Sequence, residues 1–556
     1  MRRIFTTVVV VFAAFCGALA QPAAVKSVAK SIFQLTAYDA NGNRTSTTQG
    51  VFVSSDGKAV CTWSALKNAS RAVVTDANGK SYDVSHILGA NEIYDLCQIS
   101  VNVQKASPVS FAPVAATKGG KVWLVELADR KTTATQYEVD KVEKFMDKYA
   151  FYVFGYNDHN GVKGGLFVNG NGQAFGVLQQ SERSLYANAV DVAFGASLKA
   201  ATLDVGNSLY ANTAIRLALP DEKKDAQLML MLASERSDTT KYLGYMDDFI
   251  AKFPHEVDGY STRALYKVGK GDFKSADADM QQALKQATDK AEAHSEYARV
   301  MYQKLVYSND TLFTTWTLDK ALDEAQKAYS IKPLPAYSHR VAQIKFSKGD
   351  YQGAYDMFAA LAKTNLRGSE VFFEAAQCKT QLGAPKTEIV ALLDSAVAVC
   401  PRPLNNVAAP YILARGQMYD QMGDFRKAMV DYNVYDTLMY GNANAEFYFT
   451  RYKCEVNLKQ YQQALNDIAH AAYVGGNATP LYLAELASLQ LRVGLNEDAV
   501  KSADLCLQLT PDNTDAYIVK GIALIMEKKK KEGFECLEKA KELGDDRAEG
   551  YMEKYK

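Results

Sequence analysis

Asn160–Val177 reads NGVKGGLFVNGNGQAFGV. Leu166, Phe167 and Val168 form a short apolar run, and Ala174-Phe175-Gly176-Val177 forms another. Between them lies Asn169-Gly170-Asn171-Gly172. Asn and Gly accept the positive φ angles of a tight hairpin, so the stretch predicts strand, turn, strand. Ahead of the hairpin stands Gly161-Val162-Lys163-Gly164-Gly165, a glycine-rich run holding one lysine.

The surrounding sequence follows the same pattern. Ser31–Tyr38 alternates apolar and polar residues. Gly50-Val51-Phe52-Val53 leads through a Ser54–Lys58 turn into Ala59-Val60-Cys61-Thr62-Trp63. Val73-Val74 and Tyr82–Val84 flank an Asn78-Gly79 hairpin signal. Further strands are expected at Asp95–Val101, Lys121–Glu126, Ala150–Phe154 and Ala189–Val192. Many short strands with frequent turn signals indicate a β sandwich or barrel over about residues 25 to 205.

The order of three motifs in this region resembles trypsin-like serine peptidases of the HtrA/Deg type. That family carries a G-x-G-F-V/I strand and a D-G turn before a strand ending T-N-x-H-V. Here the run is Gln49-Gly50-Val51-Phe52-Val53, Asp56-Gly57, then Cys61-Thr62-Trp63-Ser64-Ala65. The family's aspartate strand matches Asp95-Leu96-Cys97-Gln98-Ile99-Ser100-Val101, and its G-x-S-G-G nucleophile run matches Gly161–Gly165. The resemblance covers roughly 170 residues. It implies a double β-barrel and maps the triad onto Ser64, Asp95 and Lys163. Only the aspartate is kept.

A serine nucleophile needs a base to take its proton and a third group to orient that base. Ser64 cannot serve as that base, and Lys163 is protonated at neutral pH unless strongly desolvated. Family-type hydrolysis is therefore expected to be lost. An ion pair between Lys163 and Asp95 is expected in its place, because a charge within a cleft needs a partner. A Ser64–Lys163 dyad is the rival chemistry. His86 and His159 are read as structural, since neither falls at the matching strand end.

After Ala211 the pattern becomes helical and repeats. Clear copies are Gly269–Ala276, Lys348–Phe358, Met422–Tyr432 and Leu458–Leu465. With weaker copies, the centres are Tyr242, Ala276, Ala321, Ala354, Ile389, Ala428, Ala464, Ala499 and Gly533. Their numbers step by 34, 45, 33, 35, 39, 36, 35 and 34. This period resembles the tetratricopeptide repeat (TPR), with insertions near 306–315 and 401–408. Pro254, Pro333, Pro401 and Pro511 each fall where a second helix should end. The resemblance implies about nine helix pairs over 212–556, stacked into a superhelix with a concave groove and closed by a polar cap near Arg547–Lys556. An aromatic at each turn (Phe273, Tyr351, Phe425, Tyr461) is expected to wedge the pair apart. Tyr411, Tyr448, Tyr482 and Tyr517, on first helices, are candidates either for packing or for the groove.

Composition narrows the functions. The 556-residue chain holds 63 basic and 63 acidic side chains, so it offers no electrostatic footprint for nucleic acid. Lys528–Lys531 reads as a solvated corner between helices. Met1-Arg2-Arg3, the apolar run Ile4–Phe15 and Ala18-Leu19-Ala20 form a cleavable export signal over residues 1–20. No later run is long enough to span a membrane. Cleavage would remove Cys16 and leave seven cysteines without metal-ligand spacing. Cys61 and Cys97 are the one pair worth testing for a disulfide. No cofactor or metal is expected.

These readings predict an exported, periplasmic or envelope-associated scaffold of a Gram-negative bacterium. An inactive peptidase domain would be fused to a TPR array that binds protein or peptide partners. The alternatives are a working serine-type peptidase whose array recruits substrates, and a structural docking subunit of an envelope assembly.

Overall fold

The computed structural model describes residues 22–128, 130–156, 162–179 and 186–556. Two closed β-barrels come first. β1 (Ile32–Tyr38), β2 (Arg44–Phe52), β3 (Lys58–Cys61), β4 (Arg71–Asp76), β5 (Ser81–Asn91) and β6 (Leu96–Val101) close in the order β1-β2-β3-β6-β5-β4. β7 (Lys121–Ala128), β8 (Lys131–Phe145), β9 (Tyr149–Tyr156), β10 (Leu166–Val168), β11 (Ala174–Gln179) and β12 (Tyr186–Asp191) close in the order β7-β8-β9-β12-β11-β10. Each barrel thus uses the same strand order. This is the expected double barrel, and an all-α array follows it.

The opening hairpin forms as read. Val168 pairs with Ala174, and Phe167 with Gly176. The Asn169 carboxamide holds the turn by accepting from the backbone N–H groups of Asn171 and Gln173, both at 3.0 Å. Gly172 has φ +72°, and a side chain there would meet the Ala24 carbonyl oxygen at 2.5 Å.

Apolar faces partition into three cores. Phe33, Leu35, Val74, Ile87 and Ile99 fill the first barrel. Leu124, Phe154, Phe167 and Ala189 fill the second, where the Phe154 and Phe167 rings stack 4.1 Å apart. Val51, Val60, Leu96, Val125, Leu166 and Val190 pack where the barrels meet.

Two departures from the sequence reading stand out. β8 spans 15 residues and was not expected, because most of its side chains are polar and exposed. The first compact unit also reaches farther than residue 205. It runs to Tyr266 and includes Lys285–Thr288, and the second comprises Lys267–Leu284 and Asp289–Lys556. The reason is packing: Leu217, Met229, Leu230, Tyr245, Met246 and Phe249 belong to the same core as the first barrel. The helices centred on Tyr242 are thus part of the barrel unit.

In the second unit, helices Lys290–Tyr307 and Leu318–Ile331 form one packed pair, and Pro335–Ser347 with Tyr351–Leu361 the next. Five more pairs follow, and Arg547–Lys554 packs on the last. The repeat spacing has a local cause. Five residues before each of Ala276, Ala354, Ala428, Ala464, Ala499 and Gly533 stands a residue with positive φ: Gly271, Gly349, Gly423, Lys459, Gly494 and Lys528. It ends the first helix in the left-handed conformation. Asp350 and Asp424 then cap the second helices by accepting from Gly353 and Lys427 N–H groups. Phe273, Tyr351, Phe425 and Tyr461 are each the first residue of a second helix. Ala276, Ala354, Ala428 and Ala464 are fully buried, which lets the paired helices approach. Helices end at Lys252, Ile331, Ala398 and Leu509, two or three residues before the four prolines.

Candidate functional site

Ser64 follows the end of β3 and Asp95 precedes β6, so strand pairing between β3 and β6 brings them together. The Ser64 hydroxyl donates to Asp95 Oδ2 at 2.8 Å, and the Ser64 N–H donates to Oδ1 at 2.5 Å. Trp63 N–H donates to the Asp95 carbonyl oxygen at 3.2 Å. Asp95 has φ +45°, a costly conformation for a non-glycine residue. Three hydrogen bonds hold it there.

Lys163 arrives from the second barrel. Its carbonyl oxygen accepts from Gln49 N–H and from the Thr48 hydroxyl, both at 2.7 Å. Thr48 in turn bonds Thr62, two residues before Ser64, at 3.1 Å. The backbone at position 163 is thus tied to β2 and, through Thr48, to Thr62. Gly164 makes this approach workable: it has φ +81°, and a side chain would strike the Gln49 carbonyl oxygen at 2.3 Å. Gln49 is fully buried; its Nε2 donates to Val125 and its Oε1 accepts from Leu127.

The expected Lys163–Asp95 ion pair is not formed among the described residues. Both Asp95 oxygens are taken by Ser64, and the Lys163 side chain is exposed. Burial was the premise of that expectation, and an exposed ammonium needs no protein partner. His86 lies elsewhere, with Nε2 3.0 Å from Asp248, which Arg216 grips at 2.6 and 2.9 Å. Burial pushes the Asp248 carboxyl up, but the bonds from His86 and Arg216 outweigh it and hold the group below its ordinary value. His159 lies outside the described residues. Cys61 and Cys97 face each other directly across β3 and β6, but both thiols are free and buried. Burial, then the Cys61 thiol, push the Cys97 thiol well up.

The array carries a second candidate, a cavity of about 550 Å³. Helices Lys290–Tyr307, Pro335–Ser347 and Ser369–Gln381 line most of it. Arg299, Tyr302, Arg340, Phe373, Glu374 and Tyr411 are among its walls. Arg340 donates to Gln343 at 2.8 Å, and burial lowers its affinity for its proton. Of the candidate tyrosines, Tyr411 reaches this cavity. Tyr448 and Tyr482 are core residues, and the Tyr448 hydroxyl donates to Asp436 and to the Gly441 carbonyl. Tyr517 is half-buried against the last pairs.

The sequence reading missed a buried motif in the array. Arg415 grips Asp431 at 2.8 and 2.7 Å, and Arg451 grips Asp467 at 2.6 and 2.9 Å. Both pairs hold the same register, with the aspartate three residues after the small residue. Lys267 meets Asp279 there in an earlier repeat, at 2.8 Å. Comparing Asp279, Asp431 and Asp467 at fixed offset from the alanines would have revealed it.

No protein-family model and no curated protein matches the chain. Among solved structures, the chain is similar to the Rv3671c protease of M. tuberculosis in its active form, at 16% identity and a TM-score of 0.29. That match covers 36% of this chain and 92% of the protease. Among the described residues no helix is long and apolar enough to cross a membrane.

Proposed function

We propose that the protein is a non-enzymatic, exported scaffold. A trypsin-like domain with a degenerate triad is joined to a TPR array whose groove binds protein or peptide partners. One observation carries the reading: the Ser64 hydroxyl donates to Asp95 with no histidine between them. A carboxylate facing a serine directly is too weak a base to make it a nucleophile at neutral pH. Among the described residues, no histidine contacts Ser64. Lys163 stands at the family's serine position with a side chain that cannot be acylated while protonated. The repeated helix pairs support the binding role, because such arrays work through extended surfaces. The amino-terminal export signal supports a periplasmic or envelope location.

Casein and peptide hydrolysis by the wild type and by Lys163→Ala tests the first half. Neither is expected to turn over substrate, and neither should react with a fluorophosphonate probe. Turnover by the wild type, or labelling lost in Ser64→Ala, would establish the rival peptidase. Pull-down from envelope extract tests the second half. A varied set of peptides or unfolded clients is expected, whereas one stoichiometric partner would make the protein a docking subunit.

A further inference from the structure

We infer a zinc site on the array, formed by His339, Glu370 and Glu374. His339 lies on helix Pro335–Ser347, and the two glutamates lie on helix Ser369–Gln381. Spacing of four residues puts Glu370 and Glu374 on one face of their helix. One donor atom from each of the three residues falls within 4.8 Å of the others. His339 Nε2 already lies 2.5 Å from Glu374 Oε2. Donors around tetrahedral zinc sit about 3.3 Å apart, given metal–ligand distances of about 2.0–2.1 Å. Forming the set therefore takes an opening of the His339–Glu374 pair by about 0.8 Å and an inward adjustment of Glu370, which is exposed.

The surroundings orient these donors. Gln343 Nε2 donates to Glu374 Oε1 at 2.7 Å, and its Oε1 accepts from Arg340 at 2.8 Å. Arg340 thus fixes the amide so that its NH₂ group faces the carboxylate. The Phe358 ring stands edge-on to the imidazole, 5.7 Å between centroids. Supports of this kind fix ligand orientation around metals. Arg340 opposes a cation electrostatically, but two carboxylates outnumber it, and Gln343 takes up one of its donors.

The donor set selects the metal class. One imidazole with two carboxylates suits zinc, whereas calcium takes six to eight oxygens and magnesium needs an octahedron. Binding replaces the His339–Glu374 hydrogen bond. The imidazole then presents its Nε2 lone pair, with the proton on Nδ1. Three protein ligands leave a fourth position open. Glu370 and Glu374 line the 550 Å³ cavity, and His339 and Glu370 line a neighbouring one of about 290 Å³, so the donors lie between two open spaces. The site stands whether or not the groove binds peptides.

The test uses the full mature chain, stripped with chelator and then titrated with zinc against a competing chelator. One zinc per chain is expected. His339→Ala/Glu374→Gln should weaken it at least about 100-fold, and Gln343→Ala about 10-fold, as for other outer-shell losses. Cobalt should give the intense visible absorption of a tetrahedral site, bleached by zinc and not by excess magnesium. Equal zinc affinity in the double variant would overturn the inference. So would a weak, octahedral cobalt spectrum in the wild type, a result that needs no folded variant.

Discussion

Asp467→Ala tests whether the recurring arginine–aspartate pair holds the array together. Arg451 and Asp467 are both buried, with two short hydrogen bonds between them. Removing one partner of a buried pair costs about 3–5 kcal/mol, because the other charge is left in a poorly solvating interior. Arg451 keeps bonds to Asp436 at 3.0 Å and Asn433 at 3.4 Å, so the low end, about 3 kcal/mol, is expected. The array need not unfold in one step, so the loss should be local. Hydrogen exchange should therefore rise about 150-fold in helices Ala445–Asn457 and Tyr461–Val474, the fold-change that about 3 kcal/mol represents. The double change Arg451→Met/Asp467→Leu should recover most of the loss, since an apolar pair of similar size carries no desolvation cost. Lys501→Ala, which breaks an exposed pair with Asp498, should leave the exchange of these helices unchanged. An Asp467→Ala variant with unchanged exchange, or a double variant as unstable as the single, would refute the reasoning.

Three further outcomes follow from particular residues. Glu455 is buried, and its carboxyl is pushed up to about 8 by burial and then by Asp467, from an ordinary 4.5. The folded chain holds a proton that the unfolded chain releases, so this contribution is complete below pH 4.5 and is lost as pH rises through 8. Thermal melts of Glu455→Gln should be flatter than wild type across that window, and an unchanged slope would contradict the assignment. Gly164→Ala should destabilise the barrel unit by more than about 2 kcal/mol in urea titration, through clash and positive φ together. A neutral result would mean that the loop does not pack on Gln49. Thiol titration in denaturant of a chain starting at Gln21 should give the seven found free among the described residues, and five would indicate a Cys61–Cys97 bridge.

Much of the fold was legible because its signals are local. The Asn169–Gly172 turn, the Asn78-Gly79 hairpin and the alternating β1 depend on residues within a few positions of each other. The repeat was legible for the same reason: a left-handed residue, a cap and a small side chain recur within six positions. β8 was not legible, because Lys131–Phe145 is polar along most of its exposed length and gains its strand pairing from β7 and β9. The packing of residues beyond 205 onto the first barrel was not legible, because helical periodicity does not say what a helix packs against. Leu217 and Tyr245 could have faced either neighbour.

At Ser64, Asp95 and Lys163, the sequence located the positions but not their bonding. Motif order singled out Ser64, Asp95 and Lys163 together. It could not show that the Ser64 hydroxyl donates directly to Asp95. The zinc donors were less visible still, since His339 and Glu374 lie 35 residues apart in different repeats. Only the stacking of first helices brings them into contact.

Gln49 has a mechanical consequence. Its carboxamide donates to one backbone group of β7 and accepts from another, as a peptide group in a neighbouring strand would. The side chain acts as a rivet through a dry interface. Swinging one barrel against the other would strip two buried hydrogen bonds from water-excluded partners, each costing about 1–3 kcal/mol to leave unmade. The seam between β2 and β7 is therefore stiff.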